Sequence, residues 1–297
     1  MRGKIVVAGL VLGLSATFAA AQENKAPSAI PDDVYCAGIV TTEAVPHDTY
    51  IITGEQSNNK ITFDDGDLVY INKGGAQGAK VGDEFQAIRA IKDPYGIEWT
   101  KWQNGIMKRM GTVWEDEARL KVIVVQQNVS IAQVEHSCQY VQRGDIVVPF
   151  TERQIPLLKS GAKFDRFAPP DGKAMAMIIS SKNFQSQVGR GDIVYVNLGN
   201  LQGVRVGDYF RVFRYQGTQH ETAYQTSNFA FDAETGTATP DIGIYGFGAA
   251  PKKWNWSNVP REVLGEGLVL RTGPNSSTVL LTFTLREVYM GDYVEVE

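Results

Sequence analysis

Short apolar runs, rich in β-branched residues and bounded by glycine, aspartate or asparagine, recur along this chain. Asp67-Leu68-Val69-Tyr70-Ile71-Asn72 is one, and Asp192-Ile193-Val194-Tyr195-Val196-Asn197 is another. β-Branched and aromatic residues suit a pleated, half-buried surface, and the Gly-Asp ahead of each run is a turn starter. Past the N-terminal segment a 3.6-residue period is faintly present only over Gln154 to Ser160, where a helix would be short and marginal. The pattern predicts an all-β protein.

The two runs belong to a longer repeat. Gly66 to Phe85 aligns without a gap on Gly191 to Phe210, with roughly 12 of 20 positions identical. The match extends upstream, Tyr50-Ile51-Ile52 onto Met177-Ile178-Ile179, and downstream to a closing Val-x-x-Gly-Asp at Val141 to Asp145 and at Val288 to Asp292. In each copy Lys73 to Gly78, or Leu198 to Gly203, supplies a tight loop, and the Asn before it is expected to bond locally to backbone. Phe85 and Phe210 open the next strand as core anchors. The expected fold is two homologous small β-barrel or sandwich modules in tandem, of roughly five to seven strands each.

The module boundaries follow from composition: 34–150 for the first and 173–297 for the second, with 151–172 as a linker rich in charge, proline and glycine. Each module carries an insertion after its central strands, Asp93 to Arg109 in the first and 216–261 in the second. The second holds Phe229, Phe231, Trp254 and Trp256, and Trp99 and Trp102 occupy the equivalent place in the first. Rings beside cations, as in Lys252-Lys253-Trp254-Asn255-Trp256, compose a contact surface for a glycan, a partner protein or a lipid headgroup region. The same rings could instead fold back over an open barrel end, and composition leaves both readings standing.

The N-terminus reads as a secretory signal over 1–21. Arg2 and Lys4 precede an apolar stretch from Ile5 to Phe18, and Ala19-Ala20-Ala21 offers a cleavage site, with 22–33 as a flexible lead. No later segment is apolar enough to span a bilayer, so a soluble exported chain is expected. In an oxidising compartment its two cysteines, Cys36 and Cys138, are expected to pair. The net charge is −4 without a basic stripe, which argues against nucleic acid as a partner.

Candidate chemistry is sparse. The repeated aspartates, Asp67, Asp83, Asp145, Asp192, Asp208 and Asp292, all sit in Gly-Asp turns, so a turn role outweighs catalysis, and the Arg-Gly-Asp tripeptides ending at Asp145 and Asp192 are read the same way. His47, His136 and His220 form no pair at metal-ligand spacing, and Cys138, two residues after His136, is assigned to a bridge. No catalytic residue, metal or cofactor is expected.

The pattern Val-Tyr-x-Asn-x-Gly-x-x-x-Gly-Val-x-x-Gly-Asp-x-Phe, met by Val194 to Phe210 and by Val69 to Phe85 with Ala79 for Val, resembles the C-terminal domain of the flagellar assembly protein T family. It is also similar to repeats found beside peptidoglycan-binding LysM domains of bacterial envelope proteins. The resemblance implies a place in the periplasm or outer envelope and a scaffold or binding task, with an envelope protein or cell-wall glycan as partner.

Overall fold

The computed structural model describes residues 28–159, 164–215, 231–232, 237–238 and 260–297. The expected signal segment, Phe229, Trp254, Trp256 and nearly all of the 216–261 insertion lie outside the described residues, and Phe231 is described only as backbone.

The first module comprises helix α1 (Pro31–Tyr35), strands β1 (Ile39–Thr41), β2 (Ile51–Gly54), β3 (Thr62–Phe63), β4 (Leu68–Ile71) and β5 (Glu84–Ile91), helix α2 (Gln103–Met110), then β6 (Thr112–Val125), β7 (Ser130–Ser137), β8 (Val141–Gln142) and β9 (Ile146–Pro149). The second comprises β10 (Met175–Ser181), β11 (Gln187–Val188), β12 (Ile193–Val196), β13 (Tyr209–Arg214), the short pair β14 (Phe231–Asp232) and β15 (Thr237–Ala238), then β16 (Glu262–Thr272), β17 (Ser277–Thr284), β18 (Val288–Tyr289) and β19 (Tyr293–Val296). The all-β class expected from the sequence is the class observed.

The second module closes into a barrel in the order β10-β12-β17-β16-β13-β19. The first follows the same path strand for strand, β2-β4-β7-β6-β5-β9, and its ends meet at a bridge between Tyr50 and Ile146. Every principal pairing is antiparallel. Closure pairs the strand edges that would otherwise invite association. Alternating residues fill the interiors, Val69, Ile71, Phe85, Leu120 and Val134 in one barrel and Val194, Val196, Phe210, Leu264 and Val279 in the other. Both predicted phenylalanine anchors are therefore core.

The six Gly-Asp turns are one device used six times. In each, the aspartate N–H donates to the carbonyl three residues back, and its carboxylate accepts from that same residue's N–H, as in Asp64/Asp67, Lys80/Asp83 and Gln142/Asp145 and their counterparts Gly189/Asp192, Arg205/Asp208 and Tyr289/Asp292. The glycine between them has φ of +83° to +101°, the left-handed region where a side chain is strained, which is why glycine precedes each aspartate. The motif asparagines act differently from expectation. Asn72 and Asn197 accept through Oδ1 from the N–H of Tyr50 and Met177 on the neighbouring strand, at 2.6 and 2.7 Å, so they tie strands together instead of bonding locally.

Three local features add to the sequence reading. Gln154 to Lys159, where a helix would have been marginal, forms none, and Leu157 is bridged to Ser28. Helix forms instead at α1 and at α2, where Ile106, Met107 and Met110 share one face against residues of both modules. The lead is docked from Ser28 onward, since the Ala29 N–H donates to Pro156 and Ala29 is buried beside Val34 and Ala37. Across 151–172, the described linker residues are pinned by side chains: Arg153 on the first barrel and Arg166 on Glu262 of the second.

Candidate functional site at the joint between the modules

β1 is the extra strand of the first module. It pairs with the start of β6 and places its other side against the second barrel, where the Ser276 hydroxyl donates to the carbonyl of Val40 and Thr278 Oγ1 donates to that of Gly38. The hydroxyl of Tyr195 donates to Ala37 at 3.3 Å. Gly38 has a φ of +68°, and a Cβ there would lie 2.8 Å from Tyr195 Oη, so only glycine permits this approach. Tyr70, the counterpart of Tyr195 in the repeat, is half-buried, whereas Tyr195 is 1% exposed. Burial raises the Tyr195 phenol, which stays neutral and able to donate.

At the centre of the joint is Asp116 of β6, 2% exposed. Arg153 grips it in a fork, Nη2 to Oδ1 at 2.8 Å and Nη1 to Oδ2 at 2.9 Å, Arg271 Nη1 of β16 donates to Oδ2 at 3.1 Å, and the Gly38 N–H donates to Oδ2 at 3.0 Å. Burial alone would push this carboxyl up. Arg271 and Arg153 overcome that and hold it below the ordinary carboxylate range. One carboxylate thus ties the linker, β1 and the second barrel to the first barrel.

Beside this hub opens a cleft of about 510 Å³, walled by Ile39, Val45, Trp114, Val148, Val206 and Leu270, with Arg153 and Arg271 on its polar side. An apolar pocket with a few convergent polar groups is the usual form of a binding site. Its buried acid is engaged by two arginines, so the arrangement can hold a ligand by apolar contact and guanidinium donors, with the exposed Glu43 carboxylate also on its lining.

The insertion of the first module clasps the second. Trp99 packs against the interior cluster of the second barrel, and the Gln103 side chain accepts from the Trp99 N–H while donating to the Ile179 carbonyl, both at 2.6 Å. Met110 and Val113 join Val40, Ile179 and Tyr195 in a buried cluster that crosses the joint. Of the aromatic residues singled out from sequence, Trp99 therefore faces the joint while Trp102, with a φ of +72°, is 70% exposed.

Two further features surround the site. Arg89 forks onto Asp145, and Arg214 onto Asp292, so each closing-turn aspartate, itself buried, also anchors a half-buried arginine. Next to Arg89, Glu117 is fully buried at the β-bulge of β6 with no hydrogen bond to either carboxyl oxygen; Arg89 Nη1 lies 3.3 Å away but its other two donors are turned to Asp145. Burial pushes this carboxyl up to about 8. The same bulge in the second barrel holds Leu264, a core residue.

Cys36 and Cys138 are bridged as expected, joining α1 to the end of β7 with Cα atoms 5.3 Å apart. Among the described residues, this pair and His136 bring potential metal-ligating atoms within 4.8 Å of one another. Neither this cluster nor the Asp116 hub was singled out from sequence. The available signal was the run Glu115-Asp116-Glu117 inside a strand with an apolar second half, since buried charge is rare unless paired.

Fold and site together define a tandem of six-stranded β-barrels locked through a buried ionic hub. No protein-family model matches the chain, and no curated protein does. Among the described residues no helix is long and apolar enough to cross a membrane.

Proposed function

We propose that this protein is an exported bacterial envelope scaffold, a rigid pair of barrels in the periplasm or outer envelope that docks a protein partner through the second module's insertion. The observation that carries the reading is the clasp of the first module. There the segment between β5 and β6 reaches out of its own barrel and grips the next one through Trp99, Gln103 and Met110. The 216–261 insertion leaves its barrel at the same place, between β13 and β16, and carries Phe229, Phe231, Trp254 and Trp256. With its own neighbour already held from the other side, the aromatic residues of that segment are assigned to a further partner. The cleft beside Asp116 offers a second foothold for an apolar segment.

Affinity isolation from gently solubilised envelopes tests this, comparing the wild type with a Trp254→Ala, Trp256→Ala double variant. A stoichiometric protein that accompanies the wild type and is lost with the double variant is expected. Equal recovery with both chains would remove the insertion from the account. Retention on purified peptidoglycan sacculi that the double variant abolishes would replace the protein partner by a cell-wall glycan, and turnover of that glycan would overturn the non-enzymatic reading.

A further inference from the structure

We propose that Cys36, Cys138, His136 and Asp32 form a redox-gated site for a zinc-class divalent ion, closed while the sulfurs are bonded to each other and opened by a dithiol reductant. Each pair of donors is delivered by local structure. Asp32 and Cys36 are one helical turn apart across α1, and His136 and Cys138 are two residues apart at the end of β7, on one face of the strand. His136 Nε2 lies 3.9 Å from Cys36 Sγ and 3.3 Å from Asp32 Oδ1.

Tetrahedral zinc, with metal–sulfur bonds of ~2.3 Å and metal–nitrogen or –oxygen bonds of ~2.0 Å, sets its donors ~3.3 Å apart for nitrogen and oxygen, ~3.6 Å for nitrogen and sulfur and ~3.8 Å for two sulfurs. The first two separations are nearly in place. Reduction lets the sulfurs part; the Asp32 carboxylate, held on His136 but outside the 4.8 Å group of the two sulfurs and the imidazole, must also close on the ion.

The chemistry balances in two steps. A dithiol transfers two electrons and two protons to the Cys36–Cys138 bond, leaving two thiols and an oxidised, cyclic disulfide of the reductant. The ion then displaces the two thiol protons into water, forming two metal–sulfur bonds, while His136 lends the Nε2 lone pair and Asp32 a carboxylate oxygen. Access is open, because the side chains of His136 and Asp32 are 42% and 66% exposed at the mouth of a 340 Å³ pocket.

The repeat provides a comparison within the chain. Ser137 pairs with Ala118 as Thr284 pairs with Gly265, so His136 and Cys138 correspond to Phe283 and Leu285, neither of which can bind a metal. The two copies differ at both of the donor positions at the ends of β7 and β17. A sulfur–metal–sulfur link would span the same residues as the disulfide, keeping α1 and the linker contacts of Tyr35 attached to the barrel after reduction.

Cobalt(II) binding to the full chain tests the proposal, after reduction with a dithiol and removal of the excess without oxygen. The reduced chain should take up one cobalt with thiolate-to-metal charge transfer and the intense visible bands of a tetrahedral ion, and the oxidised chain none. His136→Ala, which leaves both sulfurs in place, should weaken uptake by more than the ~10-fold that outer-shell changes cost. No stoichiometric cobalt in the reduced chain, or an unchanged spectrum and affinity in His136→Ala, would overturn it. If reduction alone unfolds the chain, return of the β-sheet circular dichroism on adding cobalt supports the site and failure to return counts against it.

Discussion

Asp116→Ala is expected to lower the unfolding free energy by about 3 to 5 kcal/mol, the cost of leaving one side of a buried ion pair without its partner. The expectation is at the upper end because two guanidiniums, Arg153 and Arg271, and the Gly38 N–H all converge on this carboxylate. Arg153 keeps its bonds to the carbonyls of Val34 and Tyr35, but among the described residues the side-chain hydrogen bond of Arg271 runs to Asp116. Denaturant titration of the variant beside the wild type reads the difference. A loss below about 1 kcal/mol would equate this hub with an exposed surface ion pair and remove it as the lock of the joint.

The second large effect has the opposite sign. Glu117→Leu is expected to stabilise the protein above neutral pH, because it puts at the β6 bulge the residue type that the second barrel carries there as Leu264. Arg89 keeps its fork on Asp145, as Arg214 keeps its fork on Asp292 beside Leu264, so no arginine is orphaned.

The pH dependence follows from the raised carboxyl. Its unfolded value is near 4.5 and burial pushes the folded value up to about 8. Below the lower value both states are protonated and Glu117 carries no ionisation penalty. Between the two values the unfolded chain is ionised while the native chain keeps its proton, so wild-type stability falls as pH rises, by roughly 1.4 kcal/mol per pH unit and on the order of 5 kcal/mol in all. Above the folded value the fall levels off. The advantage of Glu117→Leu should therefore grow from pH 4.5 to pH 8 and then hold steady. Unfolding midpoints of both chains across that range check it, and an advantage that is absent, or that does not change with pH, would contradict the assignment.

Much of the architecture could be read from residues. The duplicated Gly-Asp-x-Val-Tyr-x-Asn pattern names local physics, a left-handed glycine and a carboxylate turned onto a backbone N–H three residues back, and local physics does not depend on the partner module. The same holds for Phe85 and Phe210, whose place in the pleat decides their burial. The pairing of Cys36 with Cys138 followed from number and compartment alone.

What escaped belongs to the contact between unlike copies. Tyr70 and Tyr195 stand in nearly identical words, yet only the second meets β1 at the joint, because a tandem pair presents one face of each member to the other and the faces differ. Helix α2 was hidden because its apolar face is completed by Val40, Ile179 and Tyr195, two of them far along the chain. Asp116 and Glu117 are neighbours in the chain, but the bulge at Glu117 parts them, the first bound at the joint and the second buried beside Arg89. The aromatic insertion of the second module, the richest candidate surface in the sequence, gains its meaning from the first module's clasp, where Trp99 and Gln103 bind a barrel.

The central claim is that the two barrels are one mechanical body. Scanning calorimetry of the wild-type chain with its disulfide intact tests this most directly. The joint described here predicts a single transition whose van't Hoff and calorimetric enthalpies agree, as for one cooperative unit. Two resolved transitions, each carrying about half the enthalpy, would mean that the barrels unfold independently and would contradict it.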